Sequence, residues 1–283
     1  MKEVFEGIAK ATSRIAEALA YDDTGYSDNK NATGDVQLKL DIKSDYIVEE
    51  ELARIPTIKA LASEEQETVH TVNSGGQYLI GYDPLDGSSL AGVNLAVGSI
   101  FGIYENSFIG ANLIAASYVI YGPRIEMVTA YKHNVELWRQ DNSGEFKFVQ
   151  TLRLRESGTL VAPGGTQQHW YPHHKRLVDQ FFSEGYRLRY SGGMVPDLHQ
   201  ILIKGGGIYS YPGTTDKPGG KIRLVFESMP FAKVFEMAGG AALDDMGKRL
   251  LDGAPSSHHA TSPCFIGSTT EVERAIQAYG SAA

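Results

Sequence analysis

The first part of the chain carries hydrophobic side chains at helical spacing. They are Val4, Phe5, Ile8, Ile15 and Leu19, with polar residues between them. This spacing predicts an amphipathic helix over residues 1–20 that buries one face. The segment lacks the apolar block of a secretory signal and contains several glutamates, so we interpret it as part of the folded domain rather than as a targeting peptide.

The next segments predict a loop, a helix and a strand. Residues 21–35 are polar and contain Gly and Asn, which predicts a loop. Residues 44–61 repeat apolar positions at helical spacing, which predicts a helix capped by Ser44 or Asp45. Residues 77–83 form a short apolar run, which predicts a strand that ends where a proline removes a backbone N–H.

The rest of the chain predicts a layered fold. Runs rich in Ile, Val and Tyr predict strands at 98–104, 111–121 and 125–132, and Asn142-Ser143-Gly144 predicts a hairpin turn. Beyond a break at 163–165, helices are predicted at 174–182, 194–204, 230–238 and 271–279, and strands at 187–190, 207–211 and 222–226. This order favours an α/β (α+β) fold of two sheets, with helix layers between and outside them.

Composition and charge narrow the class of protein. The 283 residues are 42% hydrophobic and 21% charged, as in an ordinary globular enzyme. The net charge of −8 argues against a nucleic-acid partner. No apolar run approaches the roughly 20 residues of a membrane span, and the single cysteine, Cys264, excludes an internal disulfide. We expect a cytoplasmic protein; a plastid location would require a presequence removed from the chain.

The segment from Tyr82 to Leu90 contains the most informative chemistry. Asp83 and Asp86 flank a predicted tight turn, and the Leu85 carbonyl lies between them in the sequence. Hard cations such as Mg²⁺ bind several oxygen ligands of this kind. The same residues also fit an ordinary Asx turn that caps a helix. A single Asp-x-x-Asp-Gly therefore leaves both interpretations open.

Gly87, Ser88 and Ser89 follow at a predicted helix start. Small residues leave their backbone N–H groups accessible, and a helix N-terminus favours a bound phosphate. One short segment could therefore offer carboxylates to a metal and N–H donors to a phosphate.

Further acidic residues lie elsewhere along the chain. They are Glu64 and Glu65 after an apolar stretch, Asp41 and Asp45 at or near a predicted helix start, and Glu227 at the end of an apolar run. Each alone has a structural explanation as a solvated residue, a helix cap or a turn residue. Carboxylates that converge repel one another unless a cation or a proton is present. The set therefore argues for divalent metal, and we expect Mg²⁺, with Mn²⁺ as a substitute.

Several longer motifs carry a family resemblance. They are Ser63-Glu64-Glu65, Asp83-Pro84-Leu85-Asp86-Gly87-Ser88-Ser89, Val97-Gly98-Ser99-Ile100-Phe101-Gly102-Ile103-Tyr104, Ile120-Tyr121-Gly122-Pro123-Arg124, Arg189-Tyr190-Ser191-Gly192-Gly193-Met194-Val195-Pro196-Asp197 and Lys221-Ile222-Arg223-Leu224. With them the chain resembles the lithium-sensitive sugar phosphatase superfamily and, within it, fructose-1,6-bisphosphatases and sedoheptulose-1,7-bisphosphatases. The likeness runs from about Thr33-Gly34-Asp35 to Ile266-Gly267-Ser268.

The resemblance implies a fold and an activity. The implied fold is a five-layer α-β-α-β-α sandwich, with a metal-binding subdomain at residues 1–160 and a substrate-binding subdomain at 161–283. The implied reaction is hydrolysis of a sugar phosphate by in-line attack of water on the 1-phosphate, without a covalent enzyme intermediate.

The resemblance also implies roles for individual residues. Glu65 would help to activate the attacking water, with Asp45 as its partner and Asp41 nearby. The implied metal ligands are Glu64, Asp83, the Leu85 carbonyl, Asp86 and Glu227. The implied substrate contacts are the amides of Gly87, Ser88 and Ser89 at the 1-phosphate, and Arg189, Tyr190, Tyr211 and Lys221 at the distal phosphate. In the family the arginine that matches Arg189 comes from a neighbouring subunit, which implies a homo-oligomer, a dimer or a tetramer.

Two departures favour the sedoheptulose enzymes. Residues 162–165 read Ala-Pro-Gly-Gly, where fructose enzymes commonly carry Asn-Glu-Gly-Tyr. The second acid after Asp41 is Asp45, whereas the fructose enzymes often place it at the position of Tyr46. We therefore expect hydrolysis of sedoheptulose 1,7-bisphosphate to sedoheptulose 7-phosphate and phosphate.

Three alternatives remain open. The first is a fructose-1,6-bisphosphatase or an enzyme that serves both sugars. The second is an inositol monophosphate or nucleotide phosphatase of the same superfamily, which the segment 189–197 disfavours. The third is a metal-binding regulator without catalysis, which the complete acidic set disfavours.

Overall fold

The computed structural model describes residues 1–22, 25–30 and 36–280, with only the backbone at 26–30 and 36–37. Thr33-Gly34-Asp35, where the family likeness begins, lies outside these residues. The helices are α1 (Lys2–Tyr21), α2 (Lys39–Leu52), α3 (Ser88–Ala91), α4 (Pro172–Ser183), α5 (Met194–Lys204), α6 (Met229–Met237) and α7 (Thr269–Gly280). One π-helical turn spans Leu224–Ser228.

The strands fall into a larger group before residue 152 and a smaller group after it. The first group is β1 (Tyr26–Lys30), β2 (Val36–Leu38), β3 (Ile58–Ser63), β4 (His70–Thr71), β5 (Tyr78–Asp86), β6 (Val97–Glu105), β7 (Leu113–Tyr121), β8 (Ile125–Tyr131), β9 (Asn134–Gln140) and β10 (Phe146–Thr151). The second is β11 (Leu160–Pro163), β12 (Arg187–Leu188), β13 (Ile208–Tyr211), β14 (Ile222–Arg223), β15 (Ala241–Leu243), β16 (Thr261–Ser262) and β17 (Cys264–Gly267).

Two sheets dominate the described structure. The larger has eight strands in the order β10-β9-β8-β7-β6-β5-β3-β4, and only its β3–β5 pair is parallel. The smaller has five strands in the order β12-β11-β13-β17-β15. Two-stranded pairings join β1 to β2 and β14 to β16. The larger sheet is thus built before residue 152, and the smaller sheet after it.

Helix layers alternate with the two sheets. Helices α1 and α2 pack on one face of the larger sheet, α5 and α6 lie between the sheets, and α4 and α7 cover the outer face of the smaller sheet. Buried apolar side chains fill each interface, with Ile8 in the first, Phe231 in the second and Phe181 in the third. The five-layer α-β-α-β-α sandwich is therefore confirmed.

The amphipathic helix at the N-terminus is confirmed. In α1, Val4, Ile8 and Ile15 are fully buried against the larger sheet, and Phe5 and Leu19 are partly buried. Burying one large aliphatic side chain contributes roughly 1.5–3 kcal/mol, so this single face can hold the helix in place.

The helix predicted at 44–61 is wrong at both ends. Helix α2 begins at Lys39 and ends at Leu52, and residues from Ile58 onward form strand β3. Pro56 explains the early end, because the ring of a proline disfavours helical backbone at the residue before it. Ser44 and Asp45 are consequently interior residues of the helix and do not cap it.

Two further predictions need correction. The strand predicted to stop at a proline continues as β5 to Asp86, with an irregular pairing register between Asp83 and Asp86. The loop predicted at 21–35 contains strand β1, and part of it lies outside the described residues. The other predicted helices and strands, apart from 222–226, occur within a few residues of their predicted bounds. A subdomain boundary near residue 160 stays a prediction.

No helix in the described part of the chain is both long enough and apolar enough to cross a lipid bilayer.

Glu126 ties the larger sheet to the middle helix layer. Its buried carboxylate on β8 accepts hydrogen bonds from Arg139 at 2.7 Å and from His199 of α5 at 3.2 Å. The His199 and Arg139 contacts lower the pKa of Glu126 to about 2, against the opposing effect of burial. Because this pKa lies below the ordinary 4.5, the ionised group stabilises the fold above about pH 4.5, and this stability is lost as the pH falls toward 2.

We expect Glu126→Gln to lower the free energy of unfolding by about 1.5–3 kcal/mol at neutral pH, as for hydrogen bonds to a charged group. The difference from wild type should shrink as the pH falls from 4.5 toward 2, measured by denaturant unfolding across that range. Glu3→Gln, at an exposed position, is the control and should change little. A difference that stays constant over the range would contradict the assigned ionisation.

Candidate active site

Three carboxylates from distant parts of the chain converge. One oxygen each of Glu64, Asp83 and Glu227 lies within 4.8 Å of the others. Glu64 follows the end of β3, Asp83 lies within β5, and Glu227 lies in the π-helical turn before α6. The structure therefore brings together three of the predicted metal ligands, and we call these three carboxylates the acidic cluster.

Local hydrogen bonds position these side chains. Strands β3 and β5 are parallel neighbours, and the Glu64 amide extends their pairing by donating to the Tyr82 carbonyl at 3.0 Å. Carboxyl ends of parallel strands meet at one edge of a sheet, which places Glu64 beside Asp83. The Arg223 amide, just before the π-helical turn, donates to Glu227 Oε2 at 2.7 Å. This hydrogen bond fixes the orientation of the Glu227 carboxylate.

Burial and mutual repulsion strongly disfavour three ionised carboxylates. Burial, then the charge of Glu227, raises the pKa of Glu64 to about 8. Burial also raises the pKa of Glu227 to about 7, and the pKa of Asp83 lies well above its ordinary value because of burial and the charge of Glu64. Within the part of the chain that the structure describes, the Glu64 Oε2 atom is buried and accepts no hydrogen bond. An all-oxygen set with an unsatisfied buried oxygen fits a divalent cation.

Asp86 lies beside this cluster and also binds helix α5. Its two oxygens accept from the amides of Met194 at 3.1 Å and Val195 at 2.6 Å, the first residues of that helix. Burial raises the pKa of Asp86 to about 7, and the two amides oppose the rise. The neighbouring Leu85 is buried and donates its amide to Asp83 Oδ1 at 2.9 Å. The irregular end of β5 thus holds Asp83, Leu85 and Asp86 close together.

Arg223 is a site residue that the sequence reasoning did not assign. Its guanidinium donates to Glu64 Oε1, and its side chain is only 10% exposed. The signal was present in the motif Lys221-Ile222-Arg223-Leu224, where a cation follows a buried strand residue. Its role depends on a contact across 159 positions of the chain, which periodicity alone does not reveal. Arg223 supplies a permanent positive charge to the edge of the acidic cluster.

The strand predicted over 222–226 is wrong beyond Arg223. Strand β14 ends there, and the π-helical turn Leu224–Ser228 leads directly into α6. A π-helical turn holds one more residue than an α-helical one and often occurs at functional sites. Here it turns Glu227 toward the acidic cluster.

The predicted catalytic acids lie around the cluster. Asp41 accepts from the Leu38 amide at 2.8 Å and from the Ser88 hydroxyl, and burial raises its pKa. Asp45 accepts from the Tyr82 hydroxyl at 2.9 Å and from Gln66 at 2.6 Å. Asp45 is therefore bound to Gln66, the residue next to Glu65.

Glu65 lies in the segment between β3 and β4. Its amide donates to Ser63 Oγ at 3.1 Å, and its charge helps to raise the pKa of Asp83. The side chain is therefore close enough to the acidic cluster for electrostatic interaction. Its role as the base stays a proposal.

The predicted phosphate-binding residues form a tight turn next to the carboxylates. Gly87 has φ of 73°, a left-handed backbone that glycine adopts without strain, and Ser88–Ala91 form a single helical turn. A Cβ on Gly87 would also lie 3.1 Å from the Gly193 Cα, so the turn packs closely against the start of α5. Ser88 is partly exposed and Ser89 is exposed, so the start of this turn lies at the protein surface.

Electrostatic interactions link three of the four predicted distal phosphate residues to one another or to Glu227. Tyr190 and Tyr211 interact electrostatically with each other, and the charge of Glu227 reaches both Tyr211 and Lys221. Burial, with Tyr190 as the next cause, raises the pKa of Tyr211 to about 12, so its hydroxyl stays a neutral donor at ordinary pH. Arg189 is exposed, and its guanidinium donates to the Leu188 carbonyl at 2.7 Å.

A separate cavity of about 860 Å³ lies between α1 and the larger sheet, lined by residues such as Phe5, Tyr131 and Trp138. It contains none of the predicted site residues. The predicted catalytic and binding residues therefore lie outside this cavity.

Family models match both halves of the chain. Residues 1–151 match the N-terminal domain of fructose-1,6-bisphosphatase, and residues 154–280 match its C-terminal domain. Among curated proteins, the chain is 49% identical over 282 residues to the class 1 fructose-1,6-bisphosphatase of Campylobacter curvus, covering 99% of this chain and 94% of the relative. It is also 49% identical over 280 residues to that of Campylobacter hominis, covering 99% and 100%.

Solved structures show the same fold. The holo form of Leishmania major fructose-1,6-bisphosphatase superimposes with a TM-score of 0.93 at 30% identity, covering 98% of this chain and 94% of that one. A putative sedoheptulose-1,7-bisphosphatase from Toxoplasma gondii gives 0.91 at 26% identity, covering 99% and 94%. With both family models matched and close relatives spanning nearly its whole length, the chain belongs to the fructose-1,6-bisphosphatase family of phosphoric monoester hydrolases.

Proposed function

We propose that this enzyme is a Mg²⁺-dependent fructose-1,6-bisphosphatase that acts in the cytoplasm, with Mn²⁺ as a substitute metal. The observation that supports the metal is the buried convergence of Glu64, Asp83 and Glu227. The sugar is proposed from the curated relatives, which are named class 1 fructose-1,6-bisphosphatases. This proposal replaces the sedoheptulose preference drawn from the sequence, which those relatives do not support.

The side chains suit hydrolysis of a phosphate ester. A divalent cation held by Glu64, Asp83, Asp86, Glu227 and the Leu85 carbonyl would stabilise developing charge and lower the pKa of a water. Glu65 would accept the proton of the water that attacks phosphorus, and the segment that holds Glu65 also binds Asp45 through Gln66. A new P–O bond forms, the bond from phosphorus to the sugar oxygen breaks, and that oxygen leaves with a proton from solvent.

The remaining side chains would orient the substrate. The open backbone of Gly87, Ser88 and Ser89 would donate to the phosphate that is removed. Tyr190, Tyr211 and Lys221 would bind the phosphate that stays. Binding of both phosphates would fix the scissile bond for in-line attack beside the acidic cluster.

The choice of sugar is tested by turnover on two substrates. We expect kcat/KM for fructose 1,6-bisphosphate to exceed that for sedoheptulose 1,7-bisphosphate by about tenfold. One extra chain carbon in a fitted pocket costs on the order of 1–3 kcal/mol. Phosphate release with each bisphosphate, at saturating Mg²⁺, gives the ratio. A kcat/KM ratio below one would support the sedoheptulose prediction instead. No phosphate release from either substrate would support the alternative of a metal-binding regulator without catalysis.

One feature favours sedoheptulose bisphosphate as the second candidate. The loop at 163–165 lies against the Tyr211 ring: a Cβ on Gly164 would lie 2.4 Å from its Cδ2 atom, and Trp170 donates to the Gly164 carbonyl at 2.9 Å. Gly164 lets the Tyr211 ring pack against the backbone, and Gly165 adds no side chain where the fructose enzymes commonly carry tyrosine, so the Tyr211 ring forms this wall of the proposed distal pocket. A longer sugar could be accommodated there. Similar kcat/KM values for the two bisphosphates would therefore indicate an enzyme that serves both substrates.

Arg189 tests the proposed oligomer. Because the family places the matching arginine in a neighbouring subunit, we expect the enzyme to be a dimer or tetramer, as measured by light scattering. We expect Arg189→Ala to raise KM about tenfold or more, since a hydrogen bond to a charged group contributes about 1.5–3 kcal/mol. Arg187→Ala, also at an exposed position of the same strand region, should leave KM unchanged. A monomeric wild-type enzyme would contradict the proposed oligomer. A normal KM in Arg189→Ala would contradict the proposed contact of Arg189 with the substrate phosphate.

A further inference from the structure

Two adjacent histidines contact the segment that carries Glu64 and Glu65. His258 Nε2 donates to the Glu67 carbonyl at 2.8 Å, and His259 Nε2 donates to the Gln66 carbonyl at 2.9 Å. A carbonyl can only accept, so both rings carry their proton on Nε2. We call this pair of contacts the histidine clasp. It joins residues 66–67 to a turn nearly two hundred positions away.

The clasp is anchored beside the acidic cluster. Both rings meet the buried Phe226 ring edge-on, with centroids 6.4 Å away for His258 and 5.3 Å for His259. Directly after His259, the Ala260 carbonyl accepts from the Leu224 amide at 2.9 Å, and β16 pairs with β14. The rings are therefore fixed to the same π-helical turn that presents Glu227.

The clasped segment holds the groups proposed to do the chemistry. The Glu64 amide is attached to β5, and the Gln66 side chain donates to Asp45 at 2.6 Å. Between these two attachments, Glu65 must point at the attacking water, and Glu64 must point at Asp83 and Glu227. The carbonyls of Gln66 and Glu67 directly follow the two glutamates in the chain, so the clasp restrains the backbone immediately after Glu65.

We propose that His258 and His259 are positioning residues, which couple the Glu64–Glu65 segment to the π-helical turn of Glu227 and so preorganise the metal site. This inference rests on the proposed function for its kinetic readouts. His259 is the more important of the two, because its contact is partly buried whereas that of His258 is exposed. Water can replace the exposed donor only in part, so loss of the His258 contact should have a smaller but measurable effect, whereas the partly buried Gln66 carbonyl is satisfied less readily once its donor is lost.

The test compares His259→Phe, which keeps a ring against Phe226 and removes the donor, with His259→Gln, which keeps a donor. We expect His259→Phe to raise the Mg²⁺ concentration for half-maximal activity by about tenfold and to lower kcat by about tenfold, as for loss of an outer contact to a metal site. The KM for the sugar should stay within about twofold. His259→Gln should recover most of the loss, and His258→Phe should show a smaller effect of the same kind. His133→Gln, exposed elsewhere, is the control.

Two readouts do not depend on turnover. Mn²⁺ affinity, measured by electron paramagnetic resonance, should fall in His259→Phe, and hydrogen exchange of the backbone amides at 64–67 should become faster. Normal metal activation and exchange in His259→Phe, with only a lower melting temperature, would overturn the proposal.

The outcomes separate this inference from the proposed function. A wild-type enzyme that releases no phosphate would refute the function, while the Mn²⁺ and exchange measurements would still decide the clasp. If His259→Phe does not fold, His258→Ala decides the proposal. It must then raise the Mg²⁺ requirement and speed exchange at 64–67, and failure to do either overturns it.

Discussion

Asp83→Asn is expected to lower turnover about a thousandfold or more while the fold persists. The carboxylate lies within 4.8 Å of those of Glu64 and Glu227, and an amide cannot supply its charge to a cation. Metal ions contribute several kcal/mol of transition-state stabilisation, and each 1.36 kcal/mol is a factor of ten in rate. The fold should persist because Asn keeps an oxygen that can accept from the Leu85 amide.

The same substitution should raise the melting temperature when metal is absent. The charge of Asp83 is disfavoured first by burial and then by the charge of Glu64, so a neutral replacement removes two costs that a cation otherwise offsets. The measurements are phosphate release with Mg²⁺ and thermal unfolding in a chelator. Asp179→Asn, at an exposed position of α4, should behave as wild type in both. Turnover in Asp83→Asn within tenfold of wild type would show that the three carboxylates do not hold the essential cation.

Arg223→Met is expected to destabilise the metal-free protein by roughly 3 kcal/mol, the cost of removing one partner from a buried ion pair. Arg223 donates to Glu64, and both side chains are about nine-tenths buried. The effect should grow as the pH rises above 8, because the pKa of Glu64 is about 8 with Arg223 in place and rises further when the guanidinium is removed. Methionine preserves much of the apolar stem of arginine and avoids a large cavity.

Two comparisons isolate the electrostatic cause in Arg223→Met. Adding Glu64→Gln to the same chain should recover most of the stability, since no buried charge is then left unpaired. Adding Mg²⁺ to the single variant should stabilise it more than it stabilises wild type. If the double variant is as unstable as the single one, the loss comes from packing, and the guanidinium does not balance Glu64.

Some of the site was readable in the sequence because it lies within a few neighbouring residues. Asp83, Leu85, Asp86 and Gly87 belong to one short string, and its turn chemistry constrains those groups to lie together. Chemistry of this local kind needs no knowledge of the rest of the fold. The structure added that β5 continues through this string with an irregular register, and that Asp86 also binds the first amides of α5.

The errors in the predicted elements have local and distant causes. The helix predicted over 44–61 ignored Pro56, although the residue before a proline avoids helical backbone. The strand predicted over 222–226 had the right apolar pattern, but a short apolar run does not distinguish a strand from a buried helical turn. Packing against the larger sheet decided that case, since Val225 is buried against Gly81 of β5.

Periodicity and short motifs are local properties of the chain, so they were sufficient to predict the family, the layered α/β architecture, the amphipathic first helix and the candidate carboxylates. The tertiary packing was needed to show that Glu64, Asp83 and Glu227 meet and that Arg223 pairs with Glu64. It was also needed to show that His258 and His259 contact the Glu67 and Gln66 carbonyls. These contacts join residues up to almost two hundred positions apart. Which distant side chains touch depends on how the two sheets and the helices between them pack, and hydrophobic burial drives that packing without recording it in any one segment.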